Sequence, residues 1–274
     1  MKKTIETQDQ RAVITLSGPE RKNLLQGIIT NDVNRLKGGE AIYSALLSPQ
    51  GKFLHDFFLV EKDDVLYLDC DAERADDLFR KLLMYRLRSD VEILDQSSSL
   101  HIITSSDEIT DETITFADPR HPSMGYRAIV TEIPAAATNA SSYHKRRIEL
   151  GIAEGTCDFI VDKSTILEGH FEALNGVDFE KGCYVGQEVT ARMKYRGKIK
   201  KLMLPVRLNG PAPEFGSDIE DENGNKIGDL RSHCDKNAIA LFRIDKIKIG
   251  AEYNCSGIKV TPFKPDFYLE TENE

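Results

Sequence analysis

The amino-acid sequence predicts an α+β protein with a separate, small all-β domain at its C-terminal end. Three observations carry this. Residues 41–47, 53–60 and 65–70 are apolar runs separated by Ser48-Pro49-Gln50-Gly51 and Lys62-Asp63-Asp64, the pattern of an antiparallel meander. Leu24, Leu25, Ile28, Ile29 and Val33, and again Leu78, Leu82 and Tyr85, recur at the spacing of one helix face. From residue 198 onward the chain changes to short alternating runs, with Asn223-Gly224 between two of them as a hairpin signal.

Taken in order, residues 11–17 alternate as a strand and stop at Gly18-Pro19. Residues 20–33 read as a helix, and the three meander strands follow. Residues 71–85 read as a second helix, with Asp76 and Asp77 loading its early turns with the negative charge that a helix N-terminus favours. Strands are expected at 91–94 and 100–103. Residues 105–115 are an acidic polar loop, Asp118-Pro119-Arg120-His121-Pro122 is a rigid turn, and residues 126–131 are strand-like. Residues 135–139 form a small-residue linker, residues 143–150 a short helix ending at Gly151, and residues 155–177 an irregular stretch. The runs at 201–208, 226–231, 238–244 and 258–260 complete a barrel or sandwich.

With 274 residues the chain is long enough for two or three units and a sizeable core. A formal net charge of -9 and a pI near 5.3 argue against a general nucleic-acid binder. No run approaches the roughly 20 apolar residues of a membrane helix, and the first six residues lack the apolar core of a secretory signal. The five cysteines, Cys70, Cys157, Cys183, Cys234 and Cys255, are odd in number and far apart. That spacing argues against a disulfide framework and against a metal site of the CxxC kind, so no metal ligands are assigned. The expected setting is a reducing cytoplasm and a monomeric protein.

The most informative stretch is Lys181-Gly182-Cys183-Tyr184-Val185-Gly186-Gln187-Glu188. Glycines on both sides of a cysteine point to a close backbone approach, and a neighbouring lysine favours the thiolate. Cys183 alone could equally be a small packed hydrophobe. His170 is the nearest upstream histidine, and nothing in the spacing pairs it with Cys183.

After this run, Arg192, Lys194, Arg196, Lys198 and Lys200 recur every second residue. In an extended chain they would share one face, with Val189, Ala191, Met193, Tyr195 and Ile199 on the other. Such a face is either a solvated edge strand or a rim that attracts carboxylates or phosphates. Glu149 could read an amidine-like edge with two parallel hydrogen bonds or be a surface helix glutamate. Tyr143 could wall a pocket or pack in the core. His55 and Asp56 are neighbours in a strand, so they face opposite ways, one expected inside and one toward solvent.

Together these residues resemble the YgfZ family, folate-binding relatives of the glycine-cleavage T-protein. The eight-residue hallmark stands complete and continues into Arg192-Met193-Lys194-Tyr195-Arg196-Gly197. Matching pieces run in the right order along nearly the whole chain: Leu25-Gln26-Gly27, Thr30-Asn31-Asp32-Val33, Leu47-Ser48-Pro49-Gln50-Gly51-Lys52, Asp118-Pro119-Arg120, and Arg147-Ile148-Glu149 with Gly151.

The resemblance implies a T-protein-like three-part ring: two interleaved α+β units in residues 1–197, which bind folate, and a C-terminal β-barrel in residues 198–274, around a central folate channel. It implies tetrahydrofolate as the bound molecule, iron–sulfur client or assembly proteins as partners, and Cys183 as the functional thiol of an assembly or repair factor. Arg11, Asn31, Asp56, Tyr143, Glu149 and Tyr195 are the implied folate-binding residues, with Glu149 reading the pterin. Lys181, Gly182, Tyr184, Gly186, Gln187, Glu188, Arg192, Lys194 and Arg196 form the motif and an anion rim for the glutamate tail.

One departure bears on catalysis. The T-protein carries an acidic pair where this chain has His55-Asp56, and a histidine supplies no fixed negative charge. An assembly factor is therefore expected rather than an enzyme, with folate-dependent one-carbon (aminomethyl-type) transfer as the alternative.

Overall fold

Among the described residues, strand alternation and helical stripes build two sheets, five α-helices and a barrel. The computed structural model describes residues 5–37, 39–110, 114–197 and 199–268. The chain divides into two units, Met1–Tyr143 with Leu174–Gln187, and His144–Ala173 with Glu188–Glu274.

The first unit runs β1 (Ile5–Thr7), β2 (Arg11–Ser17), α1 (Arg21–Gln26), β3 (Ala41–Leu47), β4 (Phe53–Lys62), β5 (Val65–Asp71), α2 (Ala75–Arg86), β6 (Glu92–Asp95), β7 (His101–Ser105), β8 (Ile114–Ala117) and β9 (Tyr126–Val130). Its antiparallel sheets have the orders β3-β4-β5-β2-β6 and β1-β7-β9-β8. On one face of the larger sheet, Leu24 and Leu25 of α1 and Leu78 and Leu82 of α2 pack with Leu16, Leu46, Phe57 and Leu68. On the other face, Phe58 meets Phe116 of the smaller sheet, ring centroids 6.3 Å apart.

Both faces of β4 are therefore covered. This corrects the expectation that one of His55 and Asp56 would face solvent: they do point to opposite faces, but both are buried. The helix expected over residues 20–33 stops at Gln26. Asn31 and Asp32 divert the chain there, because the Asn31 side chain accepts from the Asp32 amide and the Asp32 carboxylate from the Asn34 amide. Of the acidic loop expected at 105–115, residues 111–113 lie outside the described residues.

Helix α3 (Ser142–Leu150) leads into the second unit, with α4 (Gly155–Asp158) and most of α5 (Gln187–Tyr195). Then come β10 (Lys201–Leu208), β11 (Asp218–Glu220), β12 (Lys226–Cys234), β13 (Asn237–Arg243), β14 (Tyr253–Cys255) and β15 (Ile258–Pro262). These close into a barrel of order β10-β13-β12-β11-β14-β15. Leu204, Val206, Leu208, Leu230, Ala240 and Phe242 fill its interior. The Asn223-Gly224 signal marks a hairpin, but Glu220 pairs with Lys226, which leaves a five-residue loop. Asp221 organises that loop by accepting from the Asn223 and Asn225 amides, both at 2.9 Å.

Arg147 of α3 is the electrostatic staple of this unit. Its guanidinium donates to Asp158 at 2.7 Å and to Ser232 at 3.1 Å, and Asp158 in turn accepts from the Ser232 hydroxyl at 2.5 Å and the Glu154 amide at 2.9 Å. Burial works against the charge on Arg147, but Asp158 and Glu154 more than compensate and hold its pKa above the usual value. Removing one partner of such a buried pair leaves an uncompensated charge. Asp158→Ala is therefore expected to lose about 3–5 kcal/mol of stability, read from the urea midpoint of unfolding.

Candidate functional site

The hallmark run forms a strap laid across the turn that follows α1. Lys181 donates from its amine to the carbonyls of Ile29 and Asn31, each at 2.7 Å, and the amine lies 5.2 Å from the Tyr184 ring centre. Gln26 donates to the Lys181 carbonyl at 3.3 Å, and the Val185 amide to the Gly27 carbonyl at 3.1 Å. Upstream, Thr30 donates to the Gly176 carbonyl at 2.7 Å, Asn31 to that of Asn175 at 2.7 Å, and the Asp178 amide to Thr30 at 3.0 Å.

Two glycines shape the strap for different reasons. Gly182 has φ +95 with open space where a side chain would be; it turns the chain. Gly186 has φ +83, and a Cβ there would lie 2.6 Å from the Ser48 carbonyl oxygen and 2.9 Å from the Leu47 Cβ. The close backbone approach expected from the glycines is thus an approach of the strap to the β3–β4 turn. Gln187 closes the strap, its side-chain oxygen accepting from the Tyr184 amide at 3.3 Å. Between these anchors Tyr184 is buried and Cys183 is exposed as a free thiol.

Lys181 differs from expectation. Its amine is committed to carbonyl oxygens of the turn and fastens the strap. Burial pushes its pKa down to about 8, against the pull of Asp32 and Asp178.

The basic strip also differs. Residues 187–195 are helical, so side chains two apart do not share a face. The segment lacks Gly and Pro, is rich in helix formers, carries Glu188 in its first turn and Arg192 and Lys194 in its last, and is stitched by Glu188 to Arg192 at 2.7 Å. Lys194 pairs with Glu172 at 2.5 Å. Tyr195, expected inward, is 64% exposed, and Arg196 beyond the helix end is exposed as well. Lys198 lies outside the described residues.

Four of the expected folate-binding side chains are tied into the frame of the first unit. Asn31 spends its amide on the carbonyls of Tyr43 and Asn175. Asp56 accepts from the Tyr43 hydroxyl at 2.6 Å. Arg11 donates to Asp69 at 2.6 Å, and Arg127 grips the other oxygen of the same carboxylate at 2.5 and 2.8 Å. The Tyr143 hydroxyl accepts from Arg120 and Arg127, and Arg120 doubles back on Asp118 at 2.8 and 3.0 Å. The Arg127 and Arg120 guanidinium groups lie 4.1 and 4.7 Å from the Phe58 ring centre. Burial opposes the Arg127 charge, but Asp69 outweighs it and keeps its pKa raised.

Sequence reading missed Asp69 and Arg127, because a charged residue in an alternating strand reads as solvent-facing. Asp118-Pro119-Arg120, Arg11, Asp56 and Tyr143 were the parts of this network visible in the sequence. Glu149 is exposed on α3. His170 binds the Met203 carbonyl at 2.8 Å, and burial holds its pKa down, which fits a packed structural histidine. His55 faces α2 and meets Asp77 at 2.9 Å, on the opposite side of the sheet from Asp56. The two therefore form no pair at one site. Among the described residues no three His, Cys, Asp or Glu side chains gather to hold a metal ion.

Comparison with known proteins adds to this geometry. The profile of the CAF17 C-terminal beta-barrel domain matches residues 200–268, the barrel. The iron–sulfur cluster assembly factor IBA57 of Mus musculus is 30% identical over 95% of this chain and 84% of its own length. The chain belongs to the IBA57 family. A Neurospora crassa IBA57 homologue is 34% identical over 76% of this chain, and a Mycosarcoma maydis homologue 34% identical over 77%. This member spans only 55% and 59% of those two fungal proteins.

Among solved structures, the glycine cleavage system aminomethyltransferase T of Bartonella henselae superposes with a TM-score of 0.77 over 97% of this chain and 86% of its own, at 14% identity. The T-protein-like α+β fold with a C-terminal barrel is thereby established. The expected cytoplasmic setting is corrected: the IBA57 relatives from Neurospora crassa, Mus musculus and Homo sapiens are mitochondrial by name.

His55 gives a pH test of the local reading. Burial and the nearby Arg74 push its pKa down to about 4, Asp77 offsetting only part of this. Between pH 6.5 and about 4 the unfolded chain binds a proton that the folded chain refuses, so stability falls on acidification through that window. Relative to His55→Gln, the native protein is expected to lose up to about 3 kcal/mol there, measured by urea unfolding at stepped pH.

Proposed function

We propose that this protein is an assembly or repair factor for iron–sulfur proteins that acts through the Cys183 thiol and binds tetrahydrofolate. The observation that carries the proposal is the strap: a complete Lys-Gly-Cys-Tyr-Val-Gly-Gln-Glu run fastened on both sides of one exposed cysteine. Membership of a family whose relatives are named iron–sulfur cluster assembly factors supports the same reading. Its partners are then iron–sulfur client or assembly proteins, which reach the thiol from solvent.

The folate part of the proposal is the YgfZ-type reading and rests on the hallmark resemblance. Of the side chains first considered, the exposed Glu149 carboxylate and Tyr195 ring have surface to offer a pterin, whereas Arg11, Asn31, Asp56 and Tyr143 serve as frame. Arg196 and the partly neutralised Arg192 and Lys194 offer a weaker tail rim than five cations on one face would. The placement of His55 on the far side of the sheet from Asp56 counts against aminomethyl transfer.

Cys183→Ala removes a thiol from the surface and leaves every strap hydrogen bond in place. It is expected to keep the native unfolding temperature and near-native tetrahydrofolate binding by calorimetry, yet to leave iron–sulfur enzyme activity unrestored in a strain lacking the gene. Full restoration by this variant would refute the proposal.

A further inference from the structure

Helix α2 carries more apolar surface than its own unit uses. Ala75, Leu78 and Leu82 bury its inner face against the sheet. On the outer face Leu83 and Met84 stand one turn after Arg80, and Leu87 follows just past the helix end at Arg86, so the apolar contact is short and continues beyond the helix. Leu83, Met84 and Leu87 are 37%, 59% and 84% exposed.

Leu87 is also held at φ 48 and ψ -107, a conformation an L-residue with a side chain rarely adopts. An exposed leucine in a strained conformation gains nothing for folding, and such strain clusters at functional positions. Beside it lies a shallow, open surface depression lined by Glu20, Leu87, Arg88 and Ser89. The Glu20 carboxylate is turned onto the Asp90 amide at 2.6 Å.

The charge around this stripe indicates the occupant. Residues 80–88 hold Arg80, Lys81, Arg86 and Arg88 and no acid, in a chain of net charge -9. Arg80 and Lys81 lean back on Asp76 and Asp77. Arg86 and Arg88 make no ion pair among the described residues, and Arg86 reaches only the Val91 carbonyl at 3.5 Å. A two-fold contact with a second copy would set these cations against themselves. The stripe also lacks the aromatic side chains that seat a helix in a lipid interface. We propose that the outer face of α2 is a docking site for an acidic amphipathic helix of a partner protein, with Met84 as the adaptable contact and Arg86 and Arg88 as its charged rim.

The test uses a synthetic helical peptide with leucines at i, i+3, i+4 and i+7 flanked by glutamates, a control with lysines in place of the glutamates, and fluorescence anisotropy on the full chain. The glutamate peptide is expected to bind, the lysine control to bind at least about tenfold more weakly, and Met84→Asp with Leu87→Asp, or Arg86→Glu with Arg88→Glu, to weaken binding by a similar factor. Salt should weaken it as well. Leu87→Gly should hold or raise the unfolding temperature while weakening the peptide, because it relieves the strain and removes the anchor. Equal binding of both peptides, or binding unchanged by these variants, would overturn the proposal. So would self-association through this face in ultracentrifugation, or capture by phosphatidylserine vesicles without peptide binding.

Discussion

The Lys181 ammonium, shared between the carbonyls of Ile29 and Asn31, joins positions 152 and 150 residues apart in the chain. Everything that makes Cys183 distinctive follows from that contact and its neighbours. A two-carbonyl cradle needs a cation that can donate more than one hydrogen bond, and an amine does so without a rigid plane. Gln26, Gly27, Thr30 and Asn31 receive the strap along its length, and Gly186 lets it lie against the β3–β4 turn. The sequence pieces that match the family are therefore largely the parts that hold the thiol.

A second constraint lies beneath this one. The two sheets of the first unit meet across a buried set of three arginines and three aspartates: Arg11, Arg120 and Arg127 with Asp56, Asp69 and Asp118. Formal charges cancel within the set, and the Tyr43 and Tyr143 hydroxyls supply the remaining partners. Such a cluster is costly to leave half satisfied. It fixes the spacing of the sheets, and through Tyr43 and Asn31 it reaches the turn on which the strap rests. Arg11 and Tyr143 belong to this frame.

The fold was legible where one period dominated. The strands at 11–17, 41–47 and 53–62 and the barrel strands β10 and β13 follow their alternation, and α2 follows its stripe. From Arg192 to Lys200 basic residues at every second position imitate a strand face, whereas residues 187–195 are helical. Helix propensity and the Glu188–Arg192 pair decide that segment instead. The helix at 20–33 was overextended because Asn31 and Asp32 hydrogen-bond locally, an effect that apolar spacing does not register. The hallmark run stood out in the sequence, but no local pattern could show that Lys181 would turn to residues 29 and 31 rather than to its neighbour Cys183. The charge network was hidden for the same reason, since each of its pairs closes over a distance that only the folded chain provides.

Inner and outer faces of the first unit thus divide the work. The interior is committed to holding the strap in one shape, and Cys183 is left exposed. In the proposed function, this fastening is what makes the thiol functional. It is tested most directly by iron–sulfur enzyme activity in a strain lacking the gene and carrying Lys181→Met with Cys183 intact, at matched soluble protein level. Activity is predicted to fall toward that of the strain without the gene, and undiminished restoration would contradict the claim.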